Sequence, residues 1–103
     1  MDTTPKKRLE IVIEAPVLDR LCRRLDKLKV SGYTVMPAVS GRGKNGSWSR
    51  KGEISESQRM FVLFAVLDEK DLSPVLDEVY ALVSSQIGIV TVSNVEVIRA
   101  DHF

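Results

Sequence analysis

The chain has 103 residues, 44% hydrophobic and 28% charged, with a formal net charge of +1. Its length sets one domain as the expectation. This usage excludes disordered and fibrous classes, and the near-neutral charge argues against a general nucleic-acid binder. Cys22 is the only cysteine and His102 the only histidine. One chain therefore has no intrachain disulfide, no cysteine-based metal site and no convincing histidine-dependent catalytic triad. No run of about 18 apolar residues occurs, so no transmembrane helix is expected. Glu10 and Glu14 interrupt the stretch after the basic N-terminus, which rejects a signal peptide and makes cytoplasm the default.

Residues 8–14 alternate, with Leu9, Ile11 and Ile13 on one side and Glu10, Val12 and Glu14 on the other. That is a strand with one strongly apolar face. Pro16 suits the first turn of a helix. Leu18, Leu21, Cys22, Leu25 and Leu28 follow at helical spacing, and Gly32 is the expected stop. Cys22 lies on that apolar stripe, where packing is its expected role. Tyr33 to Met36 form a second strand, which Pro37 marks as an edge or a bulge.

From Ser40 to about Gln58 apolar periodicity is lost, and Gly41, Gly43, Gly46 and Gly52 alternate with serines. A loop of this length in a compact domain is uncommon and is usually functional or disordered. Glycines let successive N–H groups converge on an anion, and Arg42 and Lys44 add full charge. A solvated basic loop explains the same composition, and the segment lacks the Gly-Lys-Ser/Thr ending of a Walker loop. Trp48 in this polar context is either a partner anchor or a locally packed side chain.

Met60 to Leu67 form a third strand, apolar on both faces. A second helix runs from about Asp71 to Ser84, with Leu72, Val75, Leu76, Val79, Tyr80 and Val83 as its buried stripe. Pro74 is tolerable there as a first-turn residue. Ile87 to Ser93 form a fourth strand, and Val95 to Arg99 a short last one. Gly88 marks either a bulge or a close approach of another backbone or a ligand. Thr34 is by default an ordinary strand threonine, and Arg99 a surface arginine. Glu10 and Glu14 are expected to be solvated, and no catalytic set or metal-ligand spacing appears.

The order is β-α-β-loop-β-α-β, an α+β ferredoxin-like sandwich with two helices on one face of an antiparallel sheet. Two helices cover only one face, yet the third strand is apolar on both. Exposing Phe61 or Phe64 forgoes roughly 1.5–3 kcal/mol each. The second face is therefore expected to meet other subunits, or else a folded-back loop.

Placed in this order, the residues resemble the PII-like signalling proteins. Lys7-Arg8-Leu9-Glu10-Ile11-Val12-Ile13 with Leu18-Asp19 is similar to the family's first strand and helix entry. Gly32-Tyr33-Thr34-Val35-Met36 matches its Gly-x-Thr-Val segment. Gly41-Arg42-Gly43 looks like the start of its T-loop, Gln86-Ile87-Gly88 like its B-loop, and Val95 to Arg99 like its last strand. The likeness runs from about residue 7 to 100. It implies a single PII-like domain over 1–103, with residues 1–6 as a flexible N-terminus and about 40–58 as the T-loop.

The resemblance implies a non-enzymatic homotrimer that binds adenine nucleotide between subunits. Thr34 would contact adenine. Gly41, Arg42 and Gly43 would line the phosphates, with Gly88 and Ile89 offering backbone N–H groups and Arg99 pairing with phosphate. Leu63 and Ala65 of a neighbour would pack on the base. The family's B-loop lysine is missing from Ile87-Gly88-Ile89-Val90, which favours ADP or AMP over ATP. Asn45 stands near the place of the loop glutamine, which argues against 2-oxoglutarate sensing. No tyrosine occurs between Gly41 and Arg59, which argues against uridylylation.

The pattern resembles most the branch tied to inorganic carbon and carboxysomes. That implies bicarbonate as a second ligand, with Gly41, Arg42, Gly43 and Lys44 as its candidates. It also implies a protein partner met through a ligand-ordered T-loop, such as a transporter or a carboxysome-related component, without nucleic acid or membrane insertion. The competing reading is an RNA-recognition domain of the same topology. Arg59-Met60-Phe61-Val62-Leu63 lacks that family's glycine, and the first strand has no aromatic. An acylphosphatase-like hydrolase would need a phosphate loop where Glu14-Ala15-Pro16 stands.

Overall fold

A computed structural model describes residues 1–43, 46–49, 59–84 and 88–99. The elements are β1 (Thr4–Glu14), α1 (Ala15–Lys27), β2 (Tyr33–Pro37), β3 (Ser40–Gly43), β4 (Gly46–Ser49), β5 (Met60–Leu67), α2 (Glu69–Val83) and β6 (Gly88–Val97). Four strands form one antiparallel sheet in the order β2-β5-β1-β6, and β3 and β4 form a separate hairpin. The ferredoxin-like arrangement expected from the sequence is the one observed, with the four-stranded sheet and two helices in βαββαβ order.

Four elements build the core in equal parts. β1 contributes Leu9, Ile11 and Ile13; α1 contributes Val17, Leu21 and Leu25. β5 contributes Leu63, Ala65 and Leu67; α2 contributes Val75, Val79 and Val83. Register aligns them, with Ile11 opposite Leu63 and Leu9 opposite Ala65. Both helices thus cover one face, and Arg24 Nη1 joins them by donating to Glu78 Oε2 at 2.5 Å.

Several boundaries differ from the sequence expectation. Residues 4–6 are strand, not part of a flexible terminus: Thr4 lies opposite Val97 and Lys6 opposite Val95. Polar ties hold this extension. Thr3 Oγ1 donates to Glu96 at 2.7 Å, Lys7 Nζ to Asn94 at 2.5 Å, and Lys6 pairs with Asp68. The Lys6 hydrogen bond holds the Asp68 carboxyl below its usual range. The expected break between two last strands is absent, because Ser93 and Asn94 stay in the ladder opposite Arg8 and Lys7.

The first helix does not run to Gly32. Lys29 adopts φ 59°, its N–H bonds to the Asp26 carbonyl at 3.1 Å, and Val30 N–H bonds to Leu25 at 3.1 Å. This is a Schellman stop with lysine in the position that usually takes glycine. In α2, Pro74 is the sixth residue rather than a first-turn one, so the Lys70 carbonyl lacks a helical donor. Tyr80 is 72% exposed rather than buried. Finally, the expected loop contains a hairpin, with Gly41 opposite Trp48 and Arg42 opposite Ser47.

Candidate functional site

The sheet face away from the helices carries side chains in rows set by register. One row runs Met36, Val62, Val12, Ile89 from β2 across to β6. The next runs Thr34, Phe64, Glu10, Thr91. The first row is wholly apolar, and Met36 and Ile89 at its ends are 43% and 62% exposed. In the second, the Arg8 guanidinium lies over the Phe64 ring, 4.9 Å from its centroid, and Nη2 stands 3.6 Å from Glu10 Oε1. Phe64 thus carries a cation on its face, a stabilising contact for the ring quadrupole.

Both glycine-bearing segments lie at the apolar end. Gly88 begins β6 opposite Ile13, while β2 leaves the sheet at Pro37, opposite Phe61. Ala38 N–H still bonds to the Met60 carbonyl at 3.0 Å, so the β3–β4 hairpin starts at this same end. Arg42 is exposed and its Nε donates to Ser47 Oγ at 3.3 Å. Gly88 is a close-approach glycine: a Cβ there would stand 3.0 Å from the Val12 carbonyl oxygen.

The expected site residues divide into two groups on opposite edges. Thr34, Gly41, Arg42 and Gly43 belong to the β2 side, and Gly88 and Ile89 to the β6 side. Three strand spacings, about 14 Å, separate the edges. One protomer therefore does not bring these groups together. Arg99 follows the far end of β6, about 30 Å along the strand from Gly88, so the two do not meet within a chain. Lys44 lies outside the described residues, as do Gln86 and Ile87.

Leu63 and Ala65 require a correction. They are 0% and 2% exposed, buried beneath the helices, so their side chains cannot pack on a base in a cleft. The residues that β5 presents to the other face are Val62, Phe64 and Val66. A strand apolar on both faces hides its own orientation; only its register against β1 reveals it. Sequence reasoning also missed Val12 and Val62 as parts of the apolar row. Val12, an apolar residue on the otherwise charged side of the first strand, was the available signal.

At the β2 edge, Tyr33 Oη donates to Asp26 Oδ1 at 3.0 Å. Burial, with this hydrogen bond second, pushes its phenol up to about 12. Burial also raises the Cys22 thiol. Among the described residues no group of three His, Cys, Asp or Glu could hold a metal ion, and no helix is long and apolar enough to cross a membrane.

Comparison with known proteins bears on this arrangement. A family model described as nitrogen regulatory protein P-II matches residues 6–102. No curated protein matches the chain. Among solved structures, CPII from Thiomonas intermedia, a nitrogen regulatory PII-like protein bound to ADP, AMP and bicarbonate, is 26% identical. The match covers 99% of this chain and 96% of that one, with a TM-score of 0.89. A second structure of CPII, bound to ADP, AMP and acetate, gives 25% identity, coverages of 100% and 98%, and a TM-score of 0.81. A protein of Thermus thermophilus described as PII-like in signaling is 27% identical, with coverages of 100% and 99% and a TM-score of 0.81.

Proposed function

The chain belongs to the nitrogen regulatory protein P-II family, and on that premise we propose that it is a non-enzymatic regulator binding ADP or AMP between subunits of a homotrimer. The observation that carries this reading is the full-length likeness to CPII, whose structures hold ADP, AMP and bicarbonate. The division of the residues that the resemblance assigns to the site fits this reading. Two half-sites on opposite edges of one sheet can complete each other only when the β2 edge of one copy meets the β6 edge of the next. Such a head-to-tail contact makes a closed ring when three copies related by a rotation of about 120° complete it.

In this arrangement Thr34 and the apolar row take the base, since rows of apolar side chains suit its flat faces. The Gly41–Gly43 hairpin with Arg42, and the main chain at Gly88–Ile89, take the phosphates. Arg99 enters the cleft only if a further copy supplies it; Arg99→Ala is the variant that tells. Without a lysine after Gly88, the third phosphate of ATP has less to pair with, which favours ADP and AMP. Bicarbonate, a small anion, binds with nucleotide near Arg42 and Lys44. Ordering of the T-loop by these ligands alters the surface shown to a protein partner in inorganic-carbon metabolism. The RNA-recognition reading gains no support, because the open face of β1 carries Arg8, Glu10 and Val12 where stacking aromatics are needed.

Calorimetric titration with ATP, ADP, AMP and cyclic AMP, each with and without bicarbonate, tests the reading. ADP and AMP bind more tightly than ATP, and bicarbonate changes the heat of ADP binding. Absence of binding by every adenine nucleotide at millimolar concentration ends it.

A further inference from the structure

β2 is a short edge strand, bonded to β5 alone and ended by Pro37. Edges of this kind have the least local stability in a sheet. Tyr33 is its first residue and packs against the core, while its hydroxyl reaches Asp26 Oδ1 on the last turn of α1. The Cys22 thiol, one turn earlier, lies within reach of the same phenol. Successive side chains in a strand point to opposite faces. Tyr33 therefore anchors the strand from the helix side while Thr34 projects from the open side, opposite Phe64.

A phenylalanine at this position would bury the same ring. The hydroxyl adds the tie to Asp26 and its contact with the Cys22 thiol, and the phenol remains a donor throughout the neutral range. We infer that Tyr33 and Asp26 are positioning residues, which fix the start of β2 and so hold Thr34 in place for the base of an adenine nucleotide. This inference rests on the proposed role of Thr34.

Four variants test it: Thr34→Ala, Tyr33→Phe, Asp26→Ala and Asp26→Asn, each measured by ADP calorimetry well below its thermal midpoint. Loss of one hydrogen bond predicts ADP binding weakened about 3- to 10-fold in Tyr33→Phe and Asp26→Ala. Asp26→Asn keeps an acceptor oxygen and stays within about twofold of the parent. A purely structural tie would lower the thermal midpoint and leave ADP affinity unchanged. Weakened binding in Thr34→Ala with unchanged binding in Tyr33→Phe overturns the inference and leaves the nucleotide reading standing. Unchanged binding in Thr34→Ala removes the role of Thr34, and the inference with it.

Discussion

The same four strands present two unlike faces. Beneath the helices the buried core cluster is wholly aliphatic and its largest side chains are fully buried. The other face mixes an apolar row with an arginine stacked on a phenylalanine and a glutamate beside it. The first face completes the protomer. The second is left unfinished by one chain, with large apolar groups that stay only partly covered. In the proposed trimer, folding and assembly are thus written on opposite sides of one sheet, which makes them separable by mutation.

The sharpest way to break this comparison is a charge on the open face. In the proposed trimer, Val62→Asp places an unpaired carboxylate in the interface and weakens association by about 3–5 kcal/mol. Light scattering then gives the single-chain mass while circular dichroism stays unchanged; a retained assembly would remove the open face from the interface. On the helix side, Leu21→Ala costs the protomer about 2–5 kcal/mol in denaturant unfolding, because Leu21 is fully buried and leaves a cavity. Gly88→Ala drives a methyl against the Val12 carbonyl and costs about 1–3 kcal/mol by the same measurement.

Smaller effects probe the margins. Lys29→Gly relieves the left-handed backbone at the end of α1 and raises stability by about 0.5–1 kcal/mol. Tyr33 gives a pH signature. Its folded pKa is raised to about 12 from 10.0, so its contribution to stability is complete below pH 10.0 and lost as pH rises through about 12. In a Tyr80→Phe background the remaining phenol titrates near 12 by ultraviolet absorbance, and Asp26→Asn lowers that value.

Much of the fold was legible because burial is periodic. The alternation of Leu9, Ile11 and Ile13 and the helical spacing of Leu18, Leu21, Leu25 and Leu28 follow from one covered face. The doubly apolar Met60–Leu67 strand pointed to a second face that one chain does not close. What stayed hidden had no apolar signal. The β3–β4 hairpin is rich in glycine and serine and is held by backbone pairing. The unbroken β6 passes through Ser93 and Asn94, which look like a turn but pair with Arg8 and Lys7. Of the proposed site, the glycine segments and Thr34 were named through resemblance. Its division between two edges was not, because strand order is a property of the folded sheet.

The ladder between β1 and β6 has a kinetic meaning. It joins the first described strand to the last, from Thr4 opposite Val97 to Ile13 opposite Gly88. Such distant pairing requires the longest loop closure in the fold. The central strand β1 therefore keeps one hydrogen-bonding edge open until the last element arrives. In the proposed cleft, the half carried by β6 is synthesised after the half carried by β2, so nucleotide stabilises only chains in which β6 has been made.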